Sequence, residues 1–293
     1  MVSSFDTRWY NLNMEDEHNN NKIITLQTFN LLSSLLSILN TNDELDTDFV
    51  IAKYFLNNLN HLKDISIYKV ADDCFVSRSS VQRFIKNIGY ESYTQLKKGI
   101  DVVISHESSF INYTDHSSYR EYLTDSIGEM CQDISETCSM KGFSRLVDMF
   151  MDARNVVLVT AEDSSFPCKI FQQQLISIGK LIRITTNATT NRQLLESLDE
   201  NDLIVVSSIT GNFAIAIDEE IRKLPARKCL ITLNRSGAFE NTYQFIYYIG
   251  NKIQYSIFEH ASIRNVYNNY GLSLFLDFFY HECFMRYNRQ LNQ

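Results

Sequence analysis

The segment SIYKVADDCFVSRSSVQRFIKNIG, residues 66–89, has the pattern of two short helices joined by a tight turn. The first helix carries apolar residues at helical spacing, with a small alanine where a second helix crosses closely: Ile67, Val70, Ala71 and Cys74. Cys74, Phe75 and Val76 form the turn, and Ser77 is placed to cap the second helix. The apolar residues of the second helix are Val81, Phe84, Ile85 and Ile88, and Gly89 ends it. The segment therefore predicts a helix-turn-helix.

The other face of the second helix is polar and basic. Its residues are Arg78, Ser79, Ser80, Gln82, Arg83 and Lys86. Such side chains reach phosphates and base edges when a recognition helix enters the major groove of DNA. From Arg78 to Lys98 there are five basic residues and one acidic residue, although the whole chain has a net charge of −8. This local patch favours a specific DNA reader over a general nucleic-acid-coating protein.

Composition restricts the other classes of function. The chain has 293 residues, of which 44% are hydrophobic, and this length suits two domains. The six cysteines form no CxxC pair and have no metal-ligand spacing with the six histidines. We therefore predict no metal, no cofactor and a reducing, cytoplasmic location. No signal peptide and no apolar run long enough to cross a membrane is expected.

The first domain is predicted to be all-α. Residues 1–21 are polar and Asn-rich and are expected to be a disordered tail. Residues 22–105 are assigned to the DNA-binding domain, with amphipathic helices at 25–39 and 48–59, the second of which packs beneath the helix-turn-helix. The apolar residues Tyr93, Leu96 and Ile100 indicate a closing helix.

The remaining chain predicts a connector and an α/β domain. Residues 106–140 are assigned to a connector region, whose helix at 117–137 has an apolar face that another part of the chain or a second subunit covers. Five apolar runs begin near residues 155, 181, 203, 229 and 244, and helices separate the first four. This alternation predicts a doubly wound, five-stranded parallel sheet across residues 141–293.

The last helix is expected from about residue 262 to 287 and is heavily aromatic. One face of a sheet would not cover its apolar surface. We therefore predict that it lines the interface of a homodimer or tetramer. His281, which lies within it, is expected to be packed or to lie at that interface.

Two loops at the carboxyl ends of strands are candidate ligand sites, because open parallel sheets bind ligands at that edge. The first runs from Thr160 to Ser165, where Ser164 either caps the next helix or donates to a phosphate. The second runs from Ser207 to Asn212 and offers hydroxyls and a glycine at a helix N-terminus, where free N–H groups favour an anion. The candidate ligand residues are Ser164, Ser208, Thr210, Gly211 and Asn212. Simple helix capping is the alternative for both loops.

In its order of elements, the chain resembles the RpiR (MurR/RpiR) family of bacterial transcriptional regulators. The resemblance extends over about residues 25–287 and is most specific in IAKYFLNN, in SIYKVADDCFVSRSSVQRFIKNIGY and in CKIFQQQLISIGK. It implies a dimer that binds a pseudo-palindromic operator in double-stranded DNA and regulates carbohydrate metabolism genes. It also implies a sugar isomerase (SIS) domain that binds a phosphorylated sugar.

Several residues depart from the family pattern. Thr160 and Glu162 replace the two glycines of the first phosphate loop, Phe213 replaces a threonine of the second, and Phe75 replaces the usual turn glycine. Loss of the glycines reduces close backbone approach, and Glu162 adds a negative charge near a phosphate. A second hypothesis is therefore a regulator whose SIS-like domain is only a dimerisation scaffold or binds another ligand.

A sugar-phosphate isomerase is a remote third hypothesis. Glu259, His260, His281 and Glu282 could act as acids and bases. However, a DNA-binding domain has no use in an isomerase. We therefore expect no catalytic residues and no enzyme activity.

Overall fold

The computed structural model describes residues 31–98, 100, 118–186, 191–251 and 266–291. The chain divides into two compact units, Met1–Ile104 and Ser105–Gln293. The described part of the first unit is helical, and the second unit holds a five-stranded parallel sheet. The predicted fold class is therefore confirmed. The expected disordered tail at 1–21 lies outside the described residues.

The first unit is built from short helices around one apolar core. They are α1 (31–41), α2 (Thr47–Asn57), a 3₁₀ turn (Leu59–His61), α3 (Ile67–Asp73), α4 (Arg78–Asn87) and α5 (93–98). Phe55 of α2 meets Phe84 of α4 edge to face, with ring centroids 5.6 Å apart. This contact confirms that α2 packs against the second helix of the helix-turn-helix. The predicted core positions of α4 are also buried: Val81, Phe84, Ile85 and Ile88.

The second unit begins with two helices, α6 (Tyr119–Cys138) and α7 (Lys141–Asp152). Helix α7 was not among the predicted elements, although its buried residues follow the spacing i, i+3, i+4 and i+7: Phe143, Leu146, Val147 and Phe150. Met130 and Ile134 confirm that the apolar face of α6 is covered, and this occurs within the second unit.

The sheet then forms in alternation with helices. Its strands are β1 (Val156–Thr160), β2 (Arg183–Thr185), β3 (Leu203–Ser207), β4 (Arg227–Thr232) and β5 (Phe245–Tyr248). The helices between them are α8 (Ser165–Ile176), α9 (Arg192–Glu196), α10 (Asn212–Ala216) and α11 (Asp218–Arg222). All strand pairs are parallel, and the order across the sheet is β2-β1-β3-β4-β5. Every residue of β1 and β3 is buried, as expected for strands that are covered on both faces.

The aromatic C-terminal helix packs against other helices of the second unit. A π-helical turn (Tyr267–Gly271) leads into α12 (Leu272–Leu291). Phe279 stacks on Phe171 of α8 with centroids 5.3 Å apart, and it meets Phe150 of α7 at 4.9 Å. Helices α7 and α8 of the same unit thus bury much of the aromatic surface that one face of the sheet was not expected to cover. Tyr270, Phe284 and Met285 stay about 40% exposed, and a subunit interface there stays a prediction.

Candidate DNA interface and effector site

The start of α4 is fixed by its cap. The hydroxyl of Ser77 accepts a hydrogen bond from the backbone N–H of Ser80 at 3.1 Å, as the sequence predicted. The same oxygen lies 2.7 Å from the Ser79 hydroxyl and 2.9 Å from that of Ser80. The cap satisfies one of the N–H groups that a helix leaves unpaired at its N-terminus, and it orders the first turn of α4.

The outward face of α4 presents the predicted DNA-binding side chains. Arg78, Ser79, Gln82, Arg83 and Lys86 are exposed, and Ser80 is half-buried beside the cap. The opposite face supplies the core, so packing holds the helix while its polar face stays accessible. This division is the one that insertion into a groove of DNA requires.

The turn before α4 carries an exposed aromatic ring in a rare backbone conformation. Phe75 has φ = 54°, a left-handed conformation that glycine adopts most easily, and its side chain is 95% exposed. The N–H of Val76 still donates to the Ala71 carbonyl at 2.9 Å, which closes the turn. The structure thus retains the turn without glycine and leaves the ring in solvent.

The candidate effector site lies where β1 and β3 end. The two strands are neighbours, and Thr160 is the partner of Ser207 in the parallel register. From β1 the chain crosses to β2 on one side, and from β3 it crosses to β4 on the other side. The gap between β1 and β3 is therefore the topological switch point of the sheet. Such a point forms the crevice in which open α/β sheets bind ligands. The register therefore brings the two predicted loops to one edge.

The loop after β1 is acidic, and Ser164 does not cap the helix that follows it. Glu162–Ser164 form a 3₁₀ turn before α8, and Pro167 lies in the first turn of that helix. Ser164 makes no side-chain cap, so the capping hypothesis for this residue is wrong. Its hydroxyl donates instead to the exposed carboxylate of Asp163 at 3.1 Å.

The loop after β3 is tightly enclosed. The hydroxyl of Ser208 accepts from the N–H of Ala214 at 3.2 Å, which caps α10 from outside the helix. The hydroxyl of Thr210 accepts from the N–H of Asn212 at 3.4 Å. Gly211 has φ = 82°, and a Cβ atom there would lie 2.6 Å from Asn234 Nδ2. Capping thus explains much of this loop, although each hydroxyl keeps its own proton to donate.

The hydroxyl of Ser207 differs from its neighbours. It is buried at the end of β3, and no described residue hydrogen-bonds to it. An unsatisfied buried hydroxyl costs free energy, so it stands out at the edge where a ligand would bind.

At the other end of the strands, where β1 and β3 begin, an ion pair joins the two segments. Arg154 donates to both carboxylate oxygens of the buried Asp202, at 3.0 and 2.9 Å, and Asn155 Nδ2 donates to the same group at 2.8 Å. These bonds hold the pKa of Asp202 well below its usual range. The network joins the amino ends of β1 and β3, and it therefore fixes their register.

The family comparison agrees with the geometry of the first unit. Residues 30–107 match the model of the helix-turn-helix domain, rpiR family. The chain carries an RpiR-family helix-turn-helix domain. In this RpiR-family domain, α3 and α4 form the helix-turn-helix and α2 packs against them.

Individual relatives are more distant. The HTH-type transcriptional regulator GlvR of Bacillus subtilis (strain 168) is 22% identical over 170 residues, which are 57% of this chain and 62% of GlvR. The match therefore spans less than two thirds of that regulator. Among solved structures, the Vibrio vulnificus NanR protein complexed with ManNAc-6P is 18% identical, with a TM-score of 0.47 over 90% of this chain and 95% of NanR. The sugar isomerase domain of the RpiR transcription factor from Sphaerobacter thermophilus is 13% identical, with a TM-score of 0.36 over 58% of this chain and 97% of that one.

Some side chains near the two sites were not identified from the sequence. In the RpiR-family domain, Tyr68 of α3 contacts Arg78, and at the sheet edge Asn234 donates to the Thr210 carbonyl at 2.8 Å. Both contacts join different elements, so no spacing in the sequence reveals them. His281 is 65% exposed and 3.5 Å from Glu282, and it is therefore not packed within this unit. Glu259 and His260 lie outside the described residues.

Membrane spans and metal clusters are both missing from the described ranges. No helix there is both long and apolar enough to cross a membrane. In the same ranges no three His, Cys, Asp or Glu side chains are grouped so that they could hold a metal ion.

Proposed function

We propose that the protein is a transcriptional regulator of bacterial carbohydrate metabolism genes that binds a pseudo-palindromic DNA operator as a dimer. The observation that carries this proposal is the capped α4 helix, whose apolar face is buried and whose polar face is exposed in an RpiR-family domain. We assign DNA contacts to that exposed face, which comprises Arg78, Ser79, Ser80, Gln82, Arg83 and Lys86. Residues 22–105 form the DNA-binding domain, 106–140 the connector and 141–293 the effector and dimerisation domain.

A mobility-shift titration on DNA flanking the gene tests this proposal. Arg83→Ala and Lys86→Ala each weaken binding, and each lowers the slope of log K against log [salt] by about 1 if it contacts a phosphate. Lys223→Ala, an exposed lysine of the second unit, is the control and leaves the slope unchanged. Binding without preference over competitor DNA would overturn the proposal, as would two α4 variants that bind like the wild type.

We further propose that a phosphorylated sugar binds at the edge formed by the β1 and β3 loops. The candidate contacts are Ser164, Ser208, Thr210, Gly211 and Asn212. The switch-point position, the N-terminus of α10 and the unsatisfied Ser207 hydroxyl support a ligand here. A ligand that binds one arrangement of the dimer more tightly shifts the population toward that arrangement, and so alters operator affinity.

The acidic β1 loop favours a second candidate, in which this domain is only a dimerisation scaffold or binds a ligand without phosphate. Glu162 and Asp163 are both exposed there, and their charges oppose an anion. A thermal-shift screen against sugar phosphates separates the two. A concentration-dependent rise in Tm with one sugar phosphate supports phosphosugar sensing, because a ligand that binds the folded state stabilises it. A flat screen supports the second candidate.

Three properties complete the proposal. The protein is cytoplasmic, is a homodimer or tetramer through the C-terminal domain and α12, and has no enzyme activity. Light scattering of the purified chain measures its mass and contradicts the assembly if it finds a monomer. Turnover of any phosphosugar by the purified protein would revive the isomerase hypothesis.

A further inference from the structure

Arg78, the first residue of α4, is held by a tyrosine from the preceding helix. Its guanidinium carbon lies 4.8 Å from the centre of the Tyr68 ring, and Nη1 donates to the Tyr68 hydroxyl at 2.9 Å. Tyr68 lies on α3 and is 60% exposed, and Arg78 is also exposed. The two side chains therefore form a surface pair that joins both helices of the helix-turn-helix.

This pair is not explained by core packing or by helix stability. A positive charge at a helix N-terminus meets the positive end of the helix dipole, which disfavours it there. The negative face of the tyrosine ring and the hydroxyl oxygen compensate that placement locally. An exposed pair of this kind contributes little to folding, so its main physical effect is to restrict where the guanidinium points.

The restricted guanidinium retains its capacity to bind DNA. A guanidinium has five N–H donors in a planar fork, and one of them is directed to Tyr68. In the part of the chain that the structure describes, no carboxylate forms an ion pair with Arg78, and the Nε and Nη2 edge is left to bind a partner. Residues at the N-terminus of a recognition helix are those that contact base edges, and an arginine fork matches O6 and N7 of guanine.

We propose that Tyr68 is a positioning residue that orients Arg78 to read one guanine in each half-site of the operator. The inference rests on the proposed DNA-binding function and deepens it. Because the ring and the hydroxyl limit the rotamers of Arg78 before binding, less side-chain freedom is lost when the guanine contact forms. Tyr68 then affects the specificity at one base pair, although it carries no charge.

In vitro selection from a random duplex library with the full-length protein identifies the binding site directly from the sequences that become enriched. Affinities are then measured for that site and for variants with each base pair replaced. Arg78→Ala is expected to lose about 5- to 150-fold of discrimination at one G·C pair. Tyr68→Ala is expected to lose about 2- to 12-fold at the same pair, with an unchanged salt slope, because no charge is removed.

Two further variants make the result specific. Tyr68→Phe keeps the ring and removes the hydroxyl, and its loss should lie between those of the wild type and Tyr68→Ala. Tyr54→Phe is the control, because it also removes a tyrosine hydroxyl bonded to a charged side chain, that of Asp73 at 2.7 Å, but on α2. It should keep the wild-type base preference. Circular dichroism of each variant checks that the domain is folded.

The outcomes separate the inference from the proposed function. A selection that enriches no sequence overturns DNA reading itself and the inference with it. If a sequence is enriched but Tyr68→Ala keeps wild-type discrimination at the pair read by Arg78, the inference alone is overturned. A uniform loss of affinity at all base pairs in Tyr68→Ala also overturns it, because that result assigns the tyrosine to phosphate contact.

Discussion

The starts of α4 and α10 look alike in sequence but differ in what their polar groups bind. Serines lie just before or within the first turn of α4 and in the loop before α10, and in both a serine hydroxyl accepts a backbone N–H of the first turn. At α4 the neighbouring polar side chains project into solvent, whereas at α10 the loop is enclosed by Asn234 and Phe239. A serine at a helix start therefore predicts a cap in both cases, but the packing around the loop decides how much of its remaining polar surface is open to a partner.

The strongest test of this contrast is Gly211→Ala. Its φ of 82° is strained for alanine, and the new Cβ would lie 2.8 Å from Phe239 Cζ and closer to Asn234 Nδ2. We expect a loss of about 2–5 kcal/mol in the stability of the second unit, from backbone strain and overpacking together. Native-state hydrogen exchange of peptides from β3 and β4 measures it.

Gly179→Ala is the matched control for that change. Gly179 also has a positive φ, 70°, but its added Cβ would meet no atom within 4 Å. It should cost only the strain, about 1–2 kcal/mol. Equal losses in the two variants would show that the β3 loop is not enclosed, and the contrast with α4 would disappear.

Ser208→Ala is expected to have the next largest effect. It removes the acceptor of the buried Ala214 N–H, and we expect a loss of about 1–3 kcal/mol in unfolding free energy. Ser164→Ala changes only a surface bond to Asp163 and should stay within about 0.5 kcal/mol. Urea titrations followed by circular dichroism compare them. A stable Ser208→Ala variant that loses its thermal response to a sugar phosphate would instead assign this hydroxyl to the ligand.

A smaller effect, confined to acid pH, is expected from the Arg154–Asp202 network at the amino ends of β1 and β3. Arg154 and its neighbours lower the pKa of Asp202 in the folded state, so they stabilise the fold fully above about pH 4, where an unfolded aspartate is ionised. This contribution is lost as the pH falls toward the lowered pKa. Asp202→Asn should therefore flatten the decline of Tm below about pH 4. An identical acid profile in the variant would contradict the role of this network.

The smallest effect is expected at Phe75, which lies in the exposed turn before α4. Phe75→Gly relieves left-handed strain but adds chain entropy in the unfolded state, so the first unit should gain about 1 kcal/mol or less. Phe75→Ala keeps the strained φ and removes the exposed ring, and it should leave stability nearly unchanged. Thermal unfolding measures both. A clear loss in Phe75→Ala would mean that the ring packs against the protein after all.

Local signals account for the elements that the sequence predicted well. Continuous apolar runs located all five strands, although β2 begins at Arg183 rather than near residue 181 and β4 at Arg227 rather than near residue 229. The cap at Ser77 and the buried face of α4 followed from chemistry within a few residues. The helix α7 had a clear apolar period and was predictable in principle. The cover of α12 was not, since it depends on Phe150 and Phe171, which lie far away along the chain.

The sequence alone therefore determined a helix-turn-helix with a polar outer face and a parallel α/β domain, because hydrophobic period and helix caps act over short distances. Only the tertiary structure decided which polar groups are available. It paired Tyr68 with Arg78 across two helices and enclosed Gly211 beside Asn234. It also brought Thr160 and Ser207 together at the edge of the sheet. These contacts join residues that are distant along the chain or lie on separate elements, and no local pattern encodes the packing that brings them together.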